Sequence, residues 1–259
     1  MMPSSPVSYL LWISLLFLLA SVLFRAGRVA AAGWAFFALF WFSRIEHYLI
    51  TIDYFNAALF FAAGVLCLYM AWIIGQRGLS SKACCWASYA AAASGVIYFP
   101  FAEIEPLKAA LIGFTTSLTA NALLLFSVPV VQESWNVMSL NGSRVEIILA
   151  CTAIESIALF AGLIISVQAP IGRRLLALAA STLSIYILNI LRNGFVLMAY
   201  GWSWFGADSF EIAHNLIAKI GSTLALLAIS YVIFMLLPEL LSIIDELAAE
   251  IKSKRGDAA

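Results

Sequence analysis

Charge is scarce in this sequence, in which only 11% of the 259 residues are Asp, Glu, Lys or Arg and 64% are hydrophobic. Such a chain cannot clothe itself in solvated side chains, and no polar stretch is long enough for a separate soluble domain, so it falls in the polytopic membrane class. A basic surplus is also missing: 14 Lys and Arg balance 14 Asp and Glu. The basic residues are scattered through connecting segments, which removes any basis for nucleic-acid binding. Only the terminal "IKSKRG" is a small basic cluster, and it reads as an inside-facing anchor. Cysteine is sparse as well. Cys67, Cys84, Cys85 and Cys151 form neither a CxxC pair nor a Cys/His set of zinc spacing, so neither metal nor cofactor is expected. Cys84 and Cys85, at the start of an Ala-rich run, read as packing residues. No Lys or Arg precedes the first apolar run, which is therefore taken as a first span and not as a signal peptide. No internal repeat is visible, which argues against an inverted-repeat transporter.

What the sequence has is long apolar runs. Eight are expected to span: Ser8 to Phe24, Val29 to Phe42, Tyr54 to Ile74, Ala83 to Phe99, Leu107 to Phe126, Val145 to Val167, Leu175 to Tyr200 and Leu216 to Leu237. The expected fold is all-α, a polytopic integral membrane protein of about eight transmembrane helices, forming one transmembrane domain over residues 1–259. His47, with Arg44 and Glu46, falls in an expected loop after the second run. Arg173 and Arg174 follow the sixth run, and Lys252, Lys254 and Arg255 follow the eighth. The positive-inside rule makes both places cytoplasmic, so residues 127–144 and 201–213 form outward-facing loops and 239–259 a cytoplasmic tail. Arg25, Arg28, Arg77 and Lys82 then lie outside, against the rule, and the second half carries the orientation.

Polar chemistry interrupts three of these runs. "LACTAIESIALFAGLI" holds Cys151 and Glu155, which project from one face if the segment is α-helical. "SIYILNILRNGFVLMAYGW" holds Arg192 between Asn189 and Asn193. A lone guanidinium facing lipid there costs at least ~2.5 kcal/mol, so Arg192 must face protein. "ADSFEIAHNLIAKIGS" has Asp208 and Glu211 in the spacing of an acidic capping box, which starts a helix near Asp208 and puts His214 about 9 Å along it. Cys151, Arg192 and His214 are thereby expected at one depth, from three successive runs. That trio is the minimum for thiol catalysis: a nucleophile, a fixed cation for the thiolate or an oxyanion, and an imidazole to move a proton. Glu155 is placed to orient Arg192 or balance its charge.

The segments "ACTAIES", "NILRN" and "FEIAHN" together resemble the signature of the exosortase and archaeosortase family, and "VVQESWNVMSLNGSRVEIILACTAIESIALFAG" with "IEHYLITIDYFN" resembles its archaeosortase branch. The resemblance covers essentially the whole chain. It implies a multispanning cysteine transpeptidase that cuts exported proteins at a C-terminal tripartite signal of short motif, transmembrane helix and basic tail. For the archaeosortase branch the implied motif is Pro-Gly-Phe and the implied acceptor a membrane lipid. Residue by residue, it implies Cys151 as nucleophile, Arg192 as essential cation and His214 as general acid or base, with Glu155, Asn189, Asn193 and Asn215 in support.

Such an enzyme needs a lateral groove for a substrate helix, and the loop "SVPVVQESWNVMSLNGS" is the candidate to line it. Its Pro129, Trp135 and Asn141-Gly142 point to an ordered strand-and-turn element, while Trp135, like Trp202 and Trp204, also fits an interfacial belt. The rival is a small multispanning transporter or channel subunit, in which Glu155 and Arg192 would line a path.

Overall fold

The computed structural model describes residues 6–50, 54–79 and 81–256. The chain divides into two compact units, Met1–Val96 with Gly162–Gln168 and Glu239–Ala259, and Ile97–Ala161 with Ala169–Pro238.

In the first unit α1 (Pro6–Phe24) packs on α2 (Gly27–Ile50), and α2 on α3 (Tyr54–Arg77). Aromatic rings fill the α2–α3 contact, with Trp41 edge-on to Phe60 at 5.0 Å and Tyr48 against Phe60 at 4.7 Å. The Trp34 indole donates to Ser88 Oγ on α4 (Lys82–Glu103) at 2.9 Å, so its polar tip is satisfied inside an apolar layer. One expectation changes here. α2 continues eight residues past Phe42, so Arg44, Glu46 and His47 lie on a helix and not in a loop. No Gly or Pro interrupts Ser43–Ile50, and Arg44 stacks over the Phe40 ring at 5.4 Å, its charge resting on the π face of its own helix. The tail is also helical, as α10 (Pro238–Gly256), opened by a proline at the first helical position where its missing N–H costs nothing.

The second unit carries α5 (Glu105–Leu125), a small sheet, α7 (Ile171–Gly201) and α9 (Ala218–Leu236), with α7 packed on both α5 and α9. α5 turns Thr115, Thr116 and Thr119 inward; Thr116 and Thr119 return their hydroxyls to carbonyls four residues back, and Thr115 meets the Tyr186 hydroxyl of α7 at 3.2 Å. β1 (Val131–Gln132), β2 (Val137–Leu140) and β3 (Ser143–Glu146) form an antiparallel sheet in that order, the strand-and-turn element expected from Asn141-Gly142. Leu140 pairs with Ser143 across that dipeptide, whose φ values of 51° and 83° are those of a tight hairpin turn with both central residues left-handed. One face of the hairpin is apolar: Met138, Leu140 and Val145 are buried with Leu123, Ile147 and Leu197. The hairpin sits on the end of α7, where a Cβ added to Gly201 would lie 2.7 Å from the Leu140 side chain. Asn141 Nδ2 donates to Gly201 O at 3.2 Å, so the turn satisfies a helix-end carbonyl that has no partner within the helix.

The sixth expected span, Val145 to Val167, is not one helix. Val145 belongs to β3, Leu149–Cys151 is a single 3-10 turn, and only α6 (Ile154–Ser166), 13 residues, is α-helical. β-branched Val and Ile alternate with polar or exposed neighbours from Ser143 to Ile148, a period of two that favours strand. Five of the described helical stretches are long and apolar enough to cross a membrane: Gly27–Ile50, Ala57–Gln76, Glu105–Leu125, Ile171–Gly201 and Gly206–Leu236. The protein is a mainly helical, multi-pass membrane protein.

The hairpin gives a direct test. Gly142→Val forces a β-branched residue into a left-handed conformation, which costs roughly 1–2 kcal/mol, and lowers the thermal midpoint of the detergent-purified protein. Gly172→Ala, in α7 where an added Cβ meets nothing within 4 Å, does not lower the midpoint.

Candidate active site

Cys151 ends a 3-10 turn, Leu149–Cys151, and is 9% exposed. The turn is closed by Cys151 N donating to Ile148 O at 2.8 Å and by the Thr152 hydroxyl donating to Leu149 O at 2.7 Å. Ala153 follows with φ of 61°, left-handed for a residue with a Cβ, and α6 begins only at Ile154. The cysteine therefore stands on a strained bend before the helix, and it does not share a helix face with Glu155.

α7 holds this bend from the other side. Asn189 and Asn193, one turn apart on the buried face, both donate their Nδ2 to the carbonyl of Cys151, at 2.7 and 2.9 Å. Two amides saturate both lone pairs of a single buried carbonyl, which fixes the peptide plane next to the thiol. Sequence reasoning placed these asparagines beside the arginine without finding their target, because a side chain-to-carbonyl bond spanning about 40 positions leaves no local pattern.

Arg192, between them in sequence, is half-buried and faces a cavity of about 670 Å³. The cavity lies between α7 and α9, and Ala150 and Ala153, on either side of the cysteine turn, reach its wall. Cys151 itself packs with Val130, Met138 and Leu197, and among the described residues its Sγ makes no hydrogen bond.

His214 lies in a six-residue π-helical segment, Ile212–Ile217, inserted between the short α8 (Ser209–Glu211) and α9. Such wide turns recur at functional sites because they re-aim one side chain within a helix. The imidazole stacks on Phe210 at 5.2 Å with planes 7° apart, and Phe210 meets Tyr200 edge-on at 5.4 Å. The charges of Arg192, Lys219 and Glu211 all act on it. The helix does start at Asp208, but no side-chain cap is made by it; Ser209 Oγ instead accepts from Phe205 N at 3.0 Å.

Glu155 is exposed and accepts from the Tyr98 hydroxyl at 3.2 Å; it makes no ion pair with Arg192. A 3-10 turn followed by a left-handed residue rotates it away from the direction a continuous helix would give. Asn215 is exposed on the π segment. Lys219, one turn beyond His214, lines the cavity; sequence reasoning passed over it, although a lysine within an apolar run was signal enough. Among the described residues no three His, Cys, Asp or Glu side chains gather as a metal set.

The clamp predicts a stability pattern. Asn189→Leu or Asn193→Leu alone leaves the Cys151 carbonyl one donor and costs roughly 1 kcal/mol. The double variant leaves the carbonyl unsatisfied and costs more than the two singles together. Thermal unfolding in detergent measures the costs, and Cys151 labelling by a membrane-permeant maleimide rises in the double variant.

The comparisons with known proteins agree with this architecture. The family model described as transmembrane exosortase matches residues 3–231. Archaeosortase A of Haloferax volcanii is 31% identical, the match covering 85% of this chain and 83% of that protein. Archaeosortase A of Natronomonas pharaonis is 30% identical, covering 87% of this chain and 80% of that protein. No solved structure matches the chain. With a family match over nearly its whole length and two such relatives, the chain belongs to the transmembrane exosortase family.

Proposed function

We propose that this protein is a membrane-embedded cysteine transpeptidase that cuts a C-terminal sorting signal from exported proteins. The signal is a Pro-Gly-Phe type motif followed by a transmembrane helix and a basic tail, and the acceptor is a membrane lipid. The observation that carries the proposal is the double amide clamp on the Cys151 carbonyl with Arg192 between its two donors. A cysteine kept only for packing has no need of a fixed peptide plane, and a cation without an ion pair is costly in an apolar span.

In this scheme His214 takes the Cys151 proton and the thiolate adds to the scissile carbonyl. The Arg192 guanidinium steadies the oxyanion with its planar fork. As the C–N bond breaks, His214 returns the proton to the leaving amine, which departs with the substrate's helix and basic tail. The thioester is then attacked by the acceptor nucleophile, whose proton passes through His214 to the released thiolate. Substrate enters from the cavity side, where Ala150 and Ala153 offer little bulk beside the nucleophile. The site faces outward, with residues 127–144 and 201–213 on that side and 239–259 in the cytoplasm.

The rival transporter is separated by mass. In cells expressing a reporter with the tripartite tail, Cys151→Ala abolishes trimming, whereas Ala at Cys67, Cys84 or Cys85 leaves it nearly intact. Full trimming by Cys151→Ala ends the cysteine-enzyme proposal; a transporter changes no other protein's C-terminal mass. Topology is tested by single cysteines introduced at Asp208 and Gly172 in intact cells. A membrane-impermeant thiol reagent labels the first and spares the second, and the reverse pattern removes access to exported substrates.

A further inference from the structure

The cavity between α7 and α9 has an unbalanced charge. Its wall contains two cations, Arg192 and Lys219, and no Asp or Glu. Among the described residues neither side chain makes a hydrogen bond or ion pair. Two cations without an ion pair in one recess, Arg192 half-buried and Lys219 exposed, repel each other and together attract an anion.

The distance of this pair from the opposite ends of the same helices matches the thickness of a bilayer. Arg173 Nη1 donates to Leu236 O at 3.3 Å, which aligns the start of α7 with the end of α9. From Arg173 to Arg192 is about 28 Å of helix, and from Leu236 back to Lys219 about 26 Å. Both approach the ~30 Å thickness of the hydrocarbon layer, so the cations sit together at its far edge, the depth of a lipid headgroup.

Below them the cavity wall is mostly apolar, with Asn189 on α7 and Ser156 on α6 as polar exceptions. Ile185 and Leu188 on α7 and Leu226 and Ile229 on α9 lie on the side of Arg173 and Leu236. Lys219 to Ile229 spans about 15 Å, the hydrocarbon depth of one leaflet. Ser222 and Thr223 add hydroxyls next to the lysine.

We propose that this cavity is a binding site for a phosphate-bearing membrane lipid, with the phosphate held between Arg192 and Lys219 and a hydrocarbon chain lying along α7 and α9. Lys219 is the principal phosphate contact. A phosphate offers several acceptor oxygens to a point charge and a planar fork, and a lipid also occupies the apolar strip, which a peptide carboxylate or an inorganic anion leaves empty. The site rests on no step of thiol chemistry. If the transpeptidase proposal holds, it places a lipid beside the turn that carries the nucleophile.

The test uses full-length Cys151→Ala protein in detergent, so that binding is read without turnover and its failure is distinct from failure of the enzyme proposal. Native mass spectrometry follows titration with dioleoyl phosphatidylglycerol, with dioleoylglycerol as the phosphate-free arm and inorganic phosphate as the chain-free arm. Phosphatidylglycerol is expected to bind at least about tenfold more tightly than either arm. Lys219→Gln, at an exposed position, is expected to weaken it about tenfold, and Lys219→Arg to restore most of it. Lys108→Gln, which removes a cation paired with Glu105 on α5, leaves binding unchanged. Ala225→Phe, which fills the apolar strip, weakens the lipid and not inorganic phosphate. Equal binding of phosphatidylglycerol by the Lys219→Gln and parent proteins overturns the proposal. So does equal binding of dioleoylglycerol, or inorganic phosphate bound as tightly as the lipid.

Discussion

One carbonyl organises the second unit. The oxygen of Cys151 takes both Asn189 and Asn193, and those bonds tie the turn after the hairpin to the middle of α7. Without them the strained bend at Ala153 has little to hold it, because a left-handed alanine persists only where its surroundings over-determine it. The clamp also sets what faces the cavity. With Asn189 and Asn193 committed to the buried side, Arg192 is turned by helix geometry toward α9. The arginine's direction is thus a consequence of its two neighbours, which explains how a cation without an ion pair is kept in place.

The membrane sharpens this constraint. Backbone that is neither helix nor closed barrel is tolerated in lipid only where protein satisfies it. The irregular stretch from Ser127 to Ala153, which leads from the proposed outward-facing loop into α6, is held by protein: it buries one hairpin face and bonds to the end and the middle of α7. The π segment at Ile212–Ile217 is the second irregularity, and it carries the histidine. Both departures from regular structure fall on the residues that the proposed chemistry uses, while α1, α2 and α3 are plain helices.

The membrane class, most of the long helices and the hairpin were legible in the sequence, because mean composition, apolar runs and Asn141-Gly142 are local signals. The contacts that build the candidate site were not. The apolar run from Val145 to Val167 reads as one span, since hydrophobicity alone does not separate a buried strand and turn from a helix; the expectation of Cys151 on a helix, at one depth with Arg192 and His214, loses its helical basis there. Glu155 was matched to Arg192 by charge, yet the bend at Ala153 sends it to Tyr98. His47 was assigned to a loop because Arg44 and Glu46 ended the apolar run, although nothing in Ser43–Ile50 breaks a helix. Signals that depend on partners far apart in sequence, the asparagine clamp above all, become visible only once the chain is folded.

The central claim is that Cys151 becomes acylated, and intact-protein mass spectrometry tests it most directly. Purified enzyme is mixed with a peptide carrying the Pro-Gly-Phe motif and its transmembrane helix, then quenched in acid and digested. The account predicts a hydroxylamine-sensitive acyl adduct on the fragment containing Cys151. Cleavage of the peptide with no adduct there, or with the adduct on Cys67, Cys84 or Cys85, contradicts it.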